Sequence, residues 1–487
     1  MYRRPHAPSS SRSSNSSRPA LLAVLLVAQL MVILDISAVN LALPDMASDL
    51  GIGGGDITWT ITSYSLVFGS LLLLGGRAAD LLGRRRVFLA GLTVFTLSSL
   101  ASALAGDGAA LFAARAGQGL GAALLSPAAL SIITTTFTGS ERTKALGAWG
   151  AVGGAGAAIG VLLGGALTEL DWRAIFLINL PVGVVLAVVA RTIVPADPAG
   201  PSWRGLDLRG ALVATTSLAA LIYAISQADS AGWMSIQTLG IGALALVGLA
   251  GFAALERHTA RPLLRVDRLA DRAVGGGFGL MLAASAVLFG TFLLLSLYMQ
   301  DVLGTGPLET GLAFLPLALA AGAGAHVGSQ LVSRGGVRVP MAGAFAVSAA
   351  GLLLLSGAGP DGSYLTDVLP GMLLAGIGLG IVLVAVAVAV LTGARDEESG
   401  MLSGLNTTGH EIGGSLGVAV LVTIATAAIG AAPASGAGAA FANGIGDAFM
   451  AAAGLAVAAS LVALIVLPSA RAFLPRLRLA PSSMPIH

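Results

Sequence analysis

The sequence predicts an all-α polytopic membrane protein with fourteen transmembrane helices, and three observations carry that prediction. Charged residues make up 10% of the 487 and hydrophobic residues 56%, whereas a soluble domain carries about 25% charge. Folded in water, such a chain would lack the polar surface to cover itself; its mean hydropathy is +0.89. Fourteen apolar runs each approach the roughly 20 residues that a helix needs to cross a hydrocarbon core of about 30 Å. Finally, basic residues alternate between connections as membrane topology requires.

Taken in order, residues 1–19 are rich in Ser and Arg without periodicity and read as a disordered cytoplasmic tail. The apolar run that follows continues to Pro44 with no convincing small-residue cleavage site, so it reads as a retained span rather than a signal peptide. The first six spans are placed at 20–43, 57–75, 87–105, 109–133, 145–167 and 174–190. Two follow at 208–226 and 236–255, and six more at 273–299, 308–332, 340–356, 366–391, 404–429 and 447–467. With the amino terminus inside, 24 of the 26 Lys and Arg fall in inside segments, from Arg3 and Arg4 in the tail to Arg471, Arg476 and Arg478 at the far end. Only Arg173 is then outside, and Arg115 lies within a span. A miscounted span would invert the parity and scatter this charge, so both termini are expected to be cytoplasmic.

The same counts exclude several function classes. With no Cys there are no disulfides, thiolate metal sites or thiol nucleophiles. The five His show no metal-binding spacing, and no phosphate-cradling Gly-rich loop ending in Gly-Lys-Ser/Thr occurs. The longest inside connection, 256–272, is too short to fold as a catalytic domain. The Arg residues are scattered between apolar runs rather than clustered on polar surface, so nucleic acid is not an expected partner. No enzyme activity, metal or organic cofactor is expected.

Three stretches carry mechanism. Gly76 to Arg86, between spans 2 and 3, has the spacing G-x-x-x-D-x-x-G-R-R, with Gly76, Asp80, Gly83, Arg84 and Arg85 at the fixed positions. Gly permits a tight turn and close helix approach, and Asp80 with the Arg cluster can form charge-assisted bonds across helix ends. The plainer reading is an ordinary positive-inside loop. In span 1, Asp35 is a carboxylate within an apolar run, which costs about 2.5–3.5 kcal/mol on insertion scales and marks a functional candidate; the alternative is a structural interhelical bond. In span 4, Arg115 and Gln118 share a helix face. A buried guanidinium needs an acceptor, and Asp35 is the only carboxylate well inside the first six spans. Burial would raise the carboxyl's affinity for a proton and Arg115 would lower it, so a small change of geometry could load or release one; a fixed ion pair is the alternative.

These residues resemble a known family. The Gly76–Arg86 loop resembles the signature of the major facilitator superfamily, where it implies a cytoplasmic gate. The run Leu34-Asp35-Ile36-Ser37-Ala38-Val39-Asn40-Leu41-Ala42-Leu43-Pro44 resembles the L-D-x-T-V-V-N-x-A-L-P pattern of its fourteen-span drug:proton antiporters, with Ser37 for Thr and Ala38 for Val. Arg115-Ala116-Gly117-Gln118-Gly119 resembles the superfamily's proton-transfer motif R-x-x-Q-G. Gly147, Gly156, Gly160, Gly164 and Gly165 reproduce every Gly of the antiporter pattern G-x8-G-x3-G-P-x2-G-G, with Val161 in place of Pro; tight helix packing alone would also favour such a stripe. Asp171 to Gly183 resembles the start of span 6 in the same family, with Ala174 in place of a second Trp. A weaker echo of the gate loop at Gly328 to Arg338, eight spans later, suggests a 6+2+6 plan.

The resemblance implies a first six-helix bundle over 20–194, two inserted helices within 195–272, a second bundle over 273–467 and a cytoplasmic tail from 468. It implies export of a small lipophilic drug or antibiotic across the cell membrane by a monomer, with the proton as coupling ion and the bilayer as surroundings. Proton coupling is expected at Asp35 and Arg115, and at Glu411 near the start of span 13, where a solvated helix-end carboxylate is the plain alternative. Cavity lining is expected from Asn40, Trp59, Tyr64 and Gln118, with His326, Asn406 and His410 from the second bundle; His326 could instead be a packing residue. A proton-coupled importer of a small solute shares the gate loop and the span 1 acid, and a non-transporting receptor or scaffold is the alternative of another class.

Overall fold

The computed structural model describes residues 17–196, 207–260, 262–427 and 437–478, and among these the chain is helical with no strand. In chain order the helices are α1 (Ser17–Leu50), α2 (Trp59–Leu82), α3 (Arg84–Ala103), α4 (Gly108–Thr136), α5 (Gly139–Thr168), α6 (Ala174–Leu177), α7 (Asn179–Ile193), α8 (Leu208–Ala231) and α9 (Ile236–His258). They continue with α10 (Arg272–Leu297), α11 (Pro307–Ala313), α12 (Leu315–Gly335), α13 (Arg338–Leu355), α14 (Leu369–Leu391), α15 (Ser399–Ala427), α16 (Ala437–Val466) and α17 (Ala470–Arg478). Among the described residues, thirteen helical segments are long and apolar enough to cross a membrane, and they coincide with predicted spans 1–4 and 6–14. The fifth predicted span corresponds to the 30-residue helix α5, which is not among those thirteen. The predicted amino-terminal tail lies almost wholly outside the described residues, as do parts of the connection after span 6 and the last residues of the chain.

Proline explains where predicted spans are broken. The span predicted at 174–190 is split into α6 and α7 at Ile178, because Pro181 has no amide to donate to the carbonyl four residues back. Pro316 does the same between α11 and α12. Predicted boundaries differ most at α16, which starts at Ala437 rather than 447. Gly444, near its start, packs directly on the Ala425 carbonyl of α15 and allows close helix contact. The expected carboxyl-terminal tail also contains a helix, α17, whose Phe473 and Leu477 lie one turn apart and are buried.

Packing follows a repeated scheme. In the amino-terminal part α2 and α3 both pack on α4, α1 packs on α5, and α3 packs on α7. In the carboxyl-terminal part α12 and α13 both pack on α14, α10 packs on α15, and α13 packs on α16. The two parts meet along two seams, α2 against α15 and α5 against α12. Helices α8 and α9 pair with each other, and α8 also rests on α2 and α15. At one end of that contact the indole of Trp233 donates to Thr423 Oγ1 at 2.8 Å.

Candidate functional site

The amino-terminal helices converge on a buried polar cluster around Asp35. Its residue exposure is 2%, and that of Arg115 is 1%, so neither charge can rely on water. Arg115 Nη1 donates to Asp35 Oδ2 at 2.5 Å. Gln118, one turn along the same face of α4, donates through Nε2 to Asp35 Oδ1 at 2.9 Å. Asn179 Nδ2 at the head of α7 donates to the same oxygen at 3.1 Å. Every one of these neighbours is an N–H donor, and that is the environment an ionised carboxylate requires.

The donors are themselves held. Gln118 Oε1 accepts from Arg115 Nη1 at 2.9 Å and from Ser102 Oγ at 3.1 Å. Ser99 Oγ accepts from Gln118 at 3.1 Å and from Asn179 at 2.9 Å, and donates to the Phe176 carbonyl at 3.1 Å. Arg115 Nε donates to the Thr60 carbonyl at 3.1 Å. The flat face of its guanidinium lies 4.5 Å from the Tyr64 ring centre and 5.7 Å from that of Phe176, a cation–π arrangement. Six helices therefore contribute to one carboxylate. The Tyr64 hydroxyl and Thr60 Oγ1 are buried without a partner beside it.

The glycine stripe of α5 explains how the Asp35 turn of α1 is approached so closely. A methyl group on Gly156 would stand 2.9 Å from Ile33 Cγ2, one on Gly160 2.6 Å from Ser37 Cβ, and one on Gly164 2.7 Å from the Ala38 backbone. The α1 residues they meet, Ile33, Ser37 and Ala38, lie on either side of Asp35. Gly147 instead faces Ser329 of α12 at 3.2 Å, and Gly165 has nothing within 4 Å. Gly160→Val should therefore overpack the α1–α5 contact and cost about 1–3 kcal/mol, read as a fall in thermal stability of the purified protein. Gly165→Ala, which meets nothing and removes a helical glycine, should leave stability equal or higher.

A second site closes the end of the molecule where α2, α3 and α15 meet. Gly83 joins α2 to α3 with φ of +102°, a backbone conformation that favours glycine. This tight turn leaves the side chain of Asp80, 1% exposed, pointing at the first turn of α15. Its oxygens accept from Gly400 N at 2.8 Å and Met401 N at 2.9 Å, where a helix start offers unpaired amides and partial positive charge. Arg84 bridges back, with Nη2 at 3.5 Å from Asp80 and Nε donating to Ser131 at 2.8 Å. Gly76 packs against the Gly400 carbonyl, so no side chain would fit there. Arg85 reaches the Arg191 carbonyl. At the opposite end, Arg173 and Trp172 donate to Asp49 at 2.6 and 3.1 Å, and hold its exposed carboxylate below the usual range, Arg173 most strongly.

Other expected residues fall elsewhere. Asn40 is exposed and donates to the Ile36 carbonyl of its own helix at 2.9 Å. Trp59 lies against Tyr223 of α8, ring centres 6.4 Å apart. His326 is exposed on α12 and pairs with Gln330 at 2.9 Å. His410 of α15 makes a 2.6 Å contact with Ser285 and packs on Phe289, while Asn406, also on α15, is buried with its Oδ1 unpartnered. Glu411 is deeper than expected: α15 begins at Ser399, so at 1.5 Å per residue Glu411 lies about 18 Å along the helix. Asn179 and Ser99 were not among the expected site residues; the signal for Asn179 was an amide between apolar residues at the start of a span.

A family description, Major Facilitator Superfamily, matches residues 25–418. The chain belongs to that superfamily. It is 42% identical over 418 residues to the puromycin resistance protein pur8 of Streptomyces alboniger, covering 84% of this chain and 82% of that one. It is 39% identical over 429 residues to the cephamycin export protein CmcT of Amycolatopsis lactamdurans, covering 87% and 88%. Among solved structures, it resembles the human organic anion transporter MFSD10 (TETRAN) with a TM-score of 0.65 at 16% identity, over 91% of this chain and 99% of that one. This superfamily member is a multi-pass membrane protein of transporter type, related to antibiotic resistance and export proteins.

Proposed function

We propose that this superfamily member exports lipophilic compounds, antibiotics among them, in exchange for protons by alternating access. The observation that carries the reading is the Asp35–Arg115 pair with its ring of donors, one ionisable carboxyl held among six helices. Relatives named for puromycin resistance and cephamycin export support the direction of transport and the class of cargo. In this reading the chain has fourteen spans in a 6+2+6 plan, α5 being the fifth and α8 and α9 the inserted pair. The repeated packing scheme of the two outer parts supports that division, with bundles over 20–194 and 273–467. The arginine distribution supports cytoplasmic termini in the cell membrane. Asp80 on the amides of α15 then closes the cytoplasmic end, and Glu411 offers a second carboxylate from the carboxyl-terminal bundle to a cationic cargo.

The coupling step moves one proton. Taken up by Asp35, it would neutralise the carboxylate and weaken its hold on Arg115, Gln118 and Asn179; its release would restore them. One charge crossing 100 mV supplies about 2.3 kcal/mol, enough for a concentration ratio of roughly 50-fold. Inverted vesicles with an imposed pH gradient should accumulate a lipophilic dye or puromycin. An importer would not accumulate cargo in that orientation, and a scaffold would move none in either; both outcomes would sink the reading.

A further inference from the structure

The acidic residue just ahead of α15 has a role that the gate alone does not explain. Glu398 is 5% exposed and precedes by two and three residues the amides that Asp80 occupies. Two acidic groups thus crowd one helix start, which the helix's partial charge favours but mutual repulsion opposes. The compensation comes from the α9–α10 linker. Arg265 Nη1 donates to Glu398 Oε1 at 2.9 Å, and Arg268 Nη2 lies at ion-pair distance, 3.1 Å, from Oε2, so one buried carboxylate is hydrogen-bonded to one arginine and ion-paired with the other. The same two residues make backbone ties: Arg265 N contacts Met401 Sδ at 3.3 Å, and Arg268 Nη2 donates to the Gly393 carbonyl at 2.8 Å. Immediately before Arg265, Leu264 N donates to Glu256 in the last turn of α9 at 3.2 Å, which ties the same stretch of linker back to the inserted pair. Beneath it lies a cavity of about 600 Å³ lined by Arg77, Glu256, Arg265, Arg395 and Glu398 among others.

We infer that Glu398 is a positioning residue for the cytoplasmic gate: the linker following the inserted helix pair holds it, through Arg265 and Arg268, so that the first turn of α15 presents its amides to Asp80. The inserted pair then acts on the gate as well as lining the α2–α15 seam. A rigid amide pair is a better partner for a carboxylate than a fraying one, because its ordering has already been met by the clamp. This inference rests on the gate reading of Asp80 given under Proposed function.

The chain has no Cys, so Arg86→Cys on α3 and Arg334→Cys at the end of α12, both exposed, give a unique pair for spin labels in the full-length protein in liposomes. The distance distribution between them reads the closure of that end. Asp80→Asn should raise the long-distance fraction several-fold. Glu398→Gln, which keeps the shape but loses the charge, should do the same, and Glu398→Asp should stay near the parent. If Glu398→Gln disturbs folding, Arg265→Gln with Arg268→Gln removes the clamp from its more exposed side and should give the same shift. A parent-like distribution in both clamp variants while Asp80→Asn shifts would overturn the clamp alone. No shift in Asp80→Asn would overturn the gate reading and the clamp with it.

Discussion

Asp35→Asn is expected to abolish the pH-gradient-driven accumulation of cargo, taking the ratio in inverted vesicles from roughly 50-fold to near one. The amide cannot take up a proton, yet it keeps the shape of the carboxyl among Arg115, Gln118 and Asn179. Stability should fall modestly. The three donors now at Asp35 meet only one acceptor oxygen in Asn, so one of them faces an amide NH₂ instead. A donor left unsatisfied in this way costs about 1–3 kcal/mol. Arg115 keeps other partners in the Gln118 and Thr60 carbonyl oxygens and the Tyr64 ring, so the folded protein should still reach the membrane. Exchange of labelled for unlabelled cargo with no gradient isolates the alternation itself and should persist. Full proton-driven accumulation by the Asn variant would remove Asp35 from the coupling step.

How much of this site could be read from the sequence depends on the residue type. Asp35 and Arg115 were legible because an ionised group in an apolar run has few ways to exist: it meets its opposite, or it reaches water. Gln118 followed because three residues along a helix keep a side chain on one face. Asn179 and Ser99 were harder, since neither type is costly enough to demand an explanation in a membrane helix. Asn40 and His326 show the converse. Neither joins the Asp35 cluster: the Asn40 amide bonds its own helix backbone and the His326 imidazole its own neighbour one turn on. Spacing tells which residues share a face, whereas which way that face turns is decided by packing. That the chain is built of long apolar helices was legible from hydropathy; the breaks at Ile178 and Phe314 needed attention to which carbonyl each proline leaves unbonded. The Asp80 contact joins residues 320 apart in sequence, a separation at which no local pattern speaks, although the loop's Gly spacing marked one of its two sides.

Arg115→Ala should be the most destabilising single change in the cluster, because it removes the cation bonded to the buried Asp35 carboxylate. Breaking one side of such a pair costs about 3–5 kcal/mol, and here the loss spreads further. The Thr60 carbonyl loses its donor, Gln118 Oε1 keeps only Ser102, and the aromatic face of Tyr64 loses its cation. The two halves of the pair are therefore unequal. Without Asp35, Arg115 still has two oxygens and two rings around it, whereas without Arg115, Asp35 has only two side-chain amides. Arg115→Lys should recover little, since a single ammonium cannot replace the two nitrogens that reach Asp35 and Thr60 together. Melting of the purified protein, followed by the loss of its monodisperse peak after heating, gives the comparison. The double variant Asp35→Asn with Arg115→Ala should be more stable than Arg115→Ala alone, because neutralising the stranded acid relieves most of the penalty, with a coupling of about 0.5–3 kcal/mol. Strict additivity would mean that the two side chains act separately. The short contact between them would then be a consequence of helix packing rather than its cause.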